Sequence, residues 1–288
     1  MQSFSLQFEA IGTLWDIQAQ TSQDNTAELT KRIKNRIDVF DKNYSRFRND
    51  SIVCRIQKAP GNYTMPQDFD LMIALYETLY KLTKGLFTPL IGDLLVSAGY
   101  DMNYSFKQGR LQKVLRWEDA LRYKNSELIV KQKTILDFGG IGKGYLIDIV
   151  ADIVKNYSES FLIDAGGDIL TIDSSNKKIK IGLEHPADST KIIGICEIQN
   201  KSICASAGNR RRWGKFHHII NPETMSSPQK VLGTWVISKN AIISDALATC
   251  LFLVEPDILT STFKFEYLVL FNDYTFKISK KFPGELYT

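Results

Sequence analysis

Residues 4–19 alternate apolar and polar side chains, broken only at Gly12-Thr13, and a period of two predicts strands with one buried face. From residue 25 to residue 40 the period lengthens to that of a helix, with Ile33, Ile37 and Phe40 on its inner stripe. Pro66 opens a second helix that carries Leu71, Ile73, Leu75, Leu79 and Leu82 on one face, and Gly85 closes it. A short helix is expected over 117–121. The apolar runs 127–130 and 134–137 flank Lys131-Gln132 and predict a hairpin. A glycine-rich turn then leads into a helix over 143–157, and 161–164 reads as a short buried strand ending at Ala165-Gly166-Gly167-Asp168. Strands continue to residue 203 and return at 233–237. Ser244 opens another helix, and 265–270 with 275–278 form a last hairpin about Asn272-Asp273.

Hairpins and helices mix here without the regular strand–helix alternation of a parallel sheet. The expected fold class is therefore α+β: a single large domain, residues 1–288, of mixed, mostly antiparallel sheets with packed helices. A chain of this length can bury a substantial core. Its 44% hydrophobic and 24% charged content is that of an ordinary globular protein, and no apolar run reaches the length of a membrane span, so no transmembrane segment is expected. Residues 1–6 lack a basic stretch followed by an apolar one. That predicts a cytoplasmic protein as the sequence stands, or an extracytoplasmic one if a leader has been removed. The net charge of +4 is slight, and the basic clusters at 31–36, 46–48 and 210–212 read as solvated faces. No nucleic-acid partner is expected, while a modest positive field suits an anionic small substrate. Cys54, Cys196, Cys204 and Cys250 have no paired spacing and read as buried free thiols.

Three segments offer chemistry. Asp137-Phe138-Gly139-Gly140-Ile141-Gly142-Lys143-Gly144-Tyr145 fits neither the dinucleotide fingerprint nor the nucleoside-triphosphate loop. Two readings stay open: a phosphate cradle, with backbone approach, helix-start amides and the Lys143 charge, or a tight turn whose glycines serve packing. In the second segment Ser244 would cap a helix, leaving Asp245 in its first turn and Thr249 one turn later on the same face. A carboxylate and a hydroxyl so placed suit Mg²⁺, which keeps waters and substrate phosphates. An acidic first turn with a core-facing threonine is the alternative. In the third, His217 and His218 are adjacent, so on a strand they face opposite ways and cannot clamp one metal; one of them could act as a general base.

Taken in order, these pieces resemble the FAD:protein FMN transferase (ApbE) family, with its ApbE-like, T-fold-like architecture. The resemblance runs through Gly12-Thr13, Ser45-Arg46-Phe47 with Ser51, Gly85-Leu86-Phe87, residues 137–148, Gly166-Gly167-Asp168 and residues 182–186. It continues through Ser206-Ala207, residues 218–224 and residues 244–249. It implies a Mg²⁺-dependent transfer of the FMN moiety of FAD to a Ser or Thr hydroxyl of an acceptor protein, with release of AMP. On the same site, hydrolysis of FAD to FMN and AMP, or flavin binding without catalysis, are the alternatives. The resemblance assigns Asp245, Thr249 and the carbonyl of Gly142 to the metal, and His218 to deprotonation of the acceptor. It places Ser45, Phe47, Gly139, Gly140, Lys143, Gly167, Asp168, Glu184 and Ser206 around FAD. The implied partners are FAD and an acceptor protein presenting an exposed Ser/Thr loop. The chain departs from the family with Asn221 where Asp is common, Met225 where Gly is common, Thr88 and Leu90 in the turn after Phe87, and Gln57 where Asn is often found.

Overall fold

A computed structural model of the chain describes residues 2–21, 25–209 and 211–287. The first alternating run folds into β1 (Gln2–Ala10) and β2 (Thr13–Thr21), turned at Ile11 and Gly12, whose φ angles of 47° and 76° are those of a tight primed hairpin turn. Helix α1 (Thr26–Tyr44) buries Ile33, Ile37 and Phe40 as the period requires and runs one turn further to Tyr44. After α2 (Ile52–Lys58) and β3 (Gly61–Thr64) comes α3 (Phe69–Leu82). Its buried face is set by Phe69, Met72, Ile73, Leu75, Tyr76 and Leu79; Leu71, expected on that face, is 52% exposed. The aromatic positions turn the stripe away from Leu71.

Helices α4 (Gly92–Ser97) and α5 (Trp117–Ala120) precede β4 (Leu121–Lys124) and β5 (Glu127–Val130). Here the expected hairpin differs. Strand β5 pairs with β4 and β3, and residues 134–137 join no ladder. Their polar groups are taken locally instead: Asp93 accepts from the Thr134 hydroxyl and the Ile135 amide, each at 2.9 Å, and the Asp137 amide donates to Pro89 O at 2.8 Å.

Helix α6 (Gly142–Val154) leads to β6 (Phe161–Ala165), β7 (Asp168–Ile172), β8 (Ile179–His185), β9 (Asp188–Ile198) and β10 (Ser202–Ala207). A small hairpin of β11 (Arg212–Trp213) and β12 (Phe216–His217) follows, then β13 (Val231–Ser238). The chain ends with α7 (Ala241–Cys250), α8 (Pro256–Thr260), β14 (Glu266–Phe271), β15 (Phe276–Ile278) and β16 (Gly284–Leu286). Eight strands form one sheet in the order β1-β2-β6-β7-β10-β13-β14-β15, each pairing antiparallel.

Because side chains alternate across a strand, the sheet buries two different faces. Cys204, Val236 and Val269 join the large core with α1, α3, α6 and α7. Ile203, Trp235, Ile237, Leu268 and Leu270 pack instead with Leu183, Cys196 and Ile198 of the small sheet β16-β9-β8. A third cluster holds Leu94, Leu95, Tyr100, Trp213 and Phe216. The arrangement is α+β, mixed helix and antiparallel sheet. All four cysteines are buried and free. No helix among the described residues is long and apolar enough to cross a membrane.

Candidate active site

Helices α6 and α7 cross so closely that a Cβ on Gly144 would lie 2.3 Å from the carbonyl oxygen of Ala241 and 2.6 Å from Cβ of Asp245. That approach lets each helix supply the anion at the other's amino end. The Asp245 carboxylate, on α7, accepts from the Gly144 amide at 2.8 Å. The Asp148 carboxylate, on α6, accepts from the Ala241 and Ile242 amides at 2.8 and 2.9 Å. A helix start is electropositive and has orphan N–H donors, so both contacts satisfy the same need.

Two expectations change as a result. Ser244 does not cap α7, which begins three residues earlier at Ala241. Its hydroxyl lies in the core, 2.7 Å from Ser202 Oγ and 2.9 Å from Ser238 Oγ. Asp245 therefore sits in the second turn rather than the first. Nor does the start of α6 offer the expected row of free amides. Gly139 donates to Asp137, Ile141 and Gly142 to Phe138 O, and Gly144 to Asp245. Of the two readings left open for the glycine segment, packing holds at Gly144, while Gly139 and Gly140 lie on the wall of a cleft.

The cleft has a volume of ≈ 950 Å³, at the upper end of the roughly 300–1,000 Å³ of small-molecule sites, and can admit a dinucleotide. It gathers Phe47, Gly139, Gly140, Lys143, Gly167, Glu184, Ser206, His218, Asp245 and Thr249 from seven separate stretches of chain. Ser45, Gly142 and Asp168 stand behind this wall. Ser45 ends α1 and accepts from the Phe47 amide at 3.3 Å; Gly142 is buried against Phe40; Asp168 is buried and ion-paired to Lys143. Asp168 also accepts from the Ala205 amide at 3.1 Å, tying β7 to β10 beneath the cleft.

Lys143 thus reaches the cleft already paired. Burial disfavours its charge, but Asp168 and Asp245 outweigh that and raise its pKa. Burial, then the Asp168 carboxylate, raise the pKa of Asp245. Thr249 stands one turn beyond Asp245, 3.4 Å from the Ser206 hydroxyl. Among the described residues no three His, Cys, Asp or Glu side chains converge on a metal-sized point. The donor set is one carboxylate with neutral hydroxyls, which suits a hard cation that retains water and substrate oxygens.

His218 follows β12 directly. Burial, then Arg211, push its pKa down to about 3, so the imidazole is neutral, and Nδ1 is buried with no hydrogen-bond partner. Asn221 does not orient it. The Asn221 side-chain oxygen accepts from the Glu223 and Thr224 amides at 2.9 and 3.1 Å, and its amide donates to Ser226 O. The residue is committed to its own turn.

The cleft also uses residues not singled out from the sequence. Asp16 and Asp164 are direct cross-strand neighbours on β2 and β6, and both line it. Arg211, read as part of a solvated basic run, lines it too, while Arg210 lies outside the described residues. Arg46 is buried and ion-paired to Asp137, donates to Tyr100 O at 2.9 Å, and lies over the Phe47 ring at 4.1 Å. It fastens the residue 45–47 turn to the glycine segment. The signal for Asp16 was its place in the alternation, but its facing partner is set by a register that sequence spacing does not reveal.

The whole fold is that of the flavin transferases. It matches the crystal structure of the ApbE protein from Thermotoga maritima with a TM-score of 0.84 at 22% identity, covering 97% of both chains. It matches the flavin transferase ApbE from Vibrio cholerae with a TM-score of 0.77 at 19% identity, covering 96% of each. The chain belongs to the ApbE family, whose model matches residues 11–266. It is also similar to the FAD:protein FMN transferase of Chlamydia pneumoniae, at 23% identity over 268 residues, 86% of this chain and 83% of that one.

Proposed function

We propose that the chain transfers the FMN moiety of FAD to a Ser or Thr hydroxyl of an acceptor protein and releases AMP. The observation that carries this reading is a dinucleotide-sized cleft walled by both the Asp245–Thr249 oxygen pair and the neutral His218 imidazole, whose Nδ1 has no hydrogen-bond partner. Asp245, Thr249 and the Gly142 carbonyl are the residues that would hold Mg²⁺. Bound there, the ion would neutralise charge developing on the transferring phosphoryl group. Lys143 lies on the same wall and adds a positive charge near the pyrophosphate. The acceptor oxygen attacks the phosphorus of the FMN half, forming a phosphoester as the pyrophosphate bridge bond breaks. AMP departs with that electron pair, and the hydroxyl proton passes to His218 and on to solvent.

The test is incubation of the protein with FAD and Ser/Thr-containing acceptor peptides, with and without Mg²⁺, followed by quantitation of AMP, FMN and flavin-bearing peptide. Metal-dependent AMP with flavin on peptide supports transfer, and Asp245→Asn should cut AMP release about a thousandfold. Near-normal turnover in a folded Asp245→Asn variant would remove the metal assignment. Equal amounts of AMP and free FMN would replace transfer by hydrolysis, and intact bound FAD would replace it by flavin binding alone.

A further inference from the structure

Phe47, on the cleft wall, is the inner end of an aromatic chain that runs outward. Its ring stacks on Tyr104 with centroids 5.2 Å apart and planes within 2°. Tyr104 meets Phe106 at 6.1 Å, and Phe106 meets Trp213 of β11 at 5.7 Å. Tyr104 and Phe106 are each 47% exposed. Both hold left-handed backbone, φ 52°, which bulky residues rarely adopt and which is found where a structure clamps a ligand. The loop is pinned in that shape. Asp101 accepts from the Asn103 and Ser105 amides at 2.9 and 3.1 Å, and the Phe106 amide donates to Gly99 O at 2.9 Å.

The loop and the hairpin that carry these outer rings are rich in basic residues. Residues 99–116 carry Lys107, Arg110, Lys113 and Arg116 against the single acid Asp101, whose carboxylate is occupied within the loop. The β11–β12 hairpin carries Arg212 and Lys215 with no acid, and leads directly into His218.

We propose that this aromatic and basic rim, Tyr104 and Phe106 with Lys107, Arg212 and Lys215, is the docking platform for the acceptor protein. It takes an extended acidic segment that flanks the modified hydroxyl. The rim is continuous with the cleft through Phe47, so a segment held on it delivers its hydroxyl towards His218. The proposal rests on the transferase reading above, and the two are tested by separate signals.

Fluorescence anisotropy of the full chain would compare two labelled peptides of equal length, each with one serine and one aromatic residue. One is flanked by Asp and Glu, the other by Lys and Arg; a single-stranded oligonucleotide is the third probe. The acidic peptide should bind at least roughly tenfold more tightly than the basic one and weaken with added salt. Lys107→Glu combined with Lys215→Glu should reverse that preference, and Tyr104→Ala with Phe106→Ala should weaken the acidic peptide roughly tenfold while FAD binding is unchanged. Equal or absent binding of the two peptides would overturn the proposal, and preferential binding of the oligonucleotide would replace it with a nucleic-acid surface. Failure of the wild-type chain to release AMP from FAD would count against the transferase reading and leave the binding comparison standing.

Discussion

The two sides of the cleft are built on opposite terms. On the α6–α7 side the amides of Ile141, Gly142, Gly144, Ala241 and Ile242 have acceptors, Lys143 has Asp168, and the helices touch without a spare ångström at Gly144. On the His218 side the imidazole Nδ1 and one guanidinium nitrogen of Arg46 are buried without a partner, and Tyr104, Phe106 and Met225 all hold left-handed backbone. One side is complete as folded. The other keeps groups in a state that favourable folding alone would remove, and such strain concentrates where a ligand or substrate completes the site.

Gly144→Ala attacks the complete side and should have the largest effect. The new methyl must displace the Ala241 carbonyl, so a stability loss of about 3 kcal/mol is expected, with Mg²⁺-dependent AMP release falling alongside as Asp245 moves. A thermal melt checks it, and an unchanged Tm would mean that the contact is not tight in solution.

His218→Gln sharpens the contrast from the other side. If His218 is the proposed base, its removal should lower transfer roughly hundredfold with little effect on FAD affinity. The pH behaviour is a second handle. The folded pKa of His218 lies near 3, below the unfolded value of 6.5. The folded state therefore binds fewer protons between those values, and stability is full above about pH 6.5 and lost as pH falls. Wild type should lose up to about 1.4 kcal/mol per pH unit more than His218→Gln over that window. Parallel pH–stability curves for the two proteins would show that His218 titrates normally.

Met225→Gly should have the smallest effect. Its φ of 49° explains why glycine suits this position, and relief of the backbone is worth about 1 kcal/mol, offset by lost packing against the Trp213 cluster. A Tm change of more than a few degrees in either direction would mean that one term dominates.

Much of the fold was readable from periodicity where an element's burial is decided by its own residues. The β1–β2 hairpin, α1, α6 and the β14–β15 hairpin follow the expected pattern closely. Two of the misses share one cause, which is a partner distant in sequence. Residues 134–137 look like a strand, but their donors are taken by Asp93 and Pro89. Ser244 looks like a cap, but Asp148 supplies the cap from another helix. For the site, residues carried by short motifs were found, and most lie on one cleft. Arg211 and the Asp16–Asp164 pair were not, and the register that sets Asp16 opposite Asp164 is not visible in sequence spacing.

The exchange of carboxylates between α6 and α7 also sets a schedule. Gly144 and Asp245 are 101 residues apart, and Asp148 and Ala241 are 93 apart. At roughly 5–20 residues per second of synthesis, a growing chain waits about 5–20 s with α6 emerged and its partner not yet made. During that interval the Gly144 amide and the Asp148 carboxylate have only water to meet them. Until residue 245 is made, the amino end of α6 lacks the carboxylate that joins it to α7. The cleft wall that Asp245 lines is therefore completed only in the finished polypeptide.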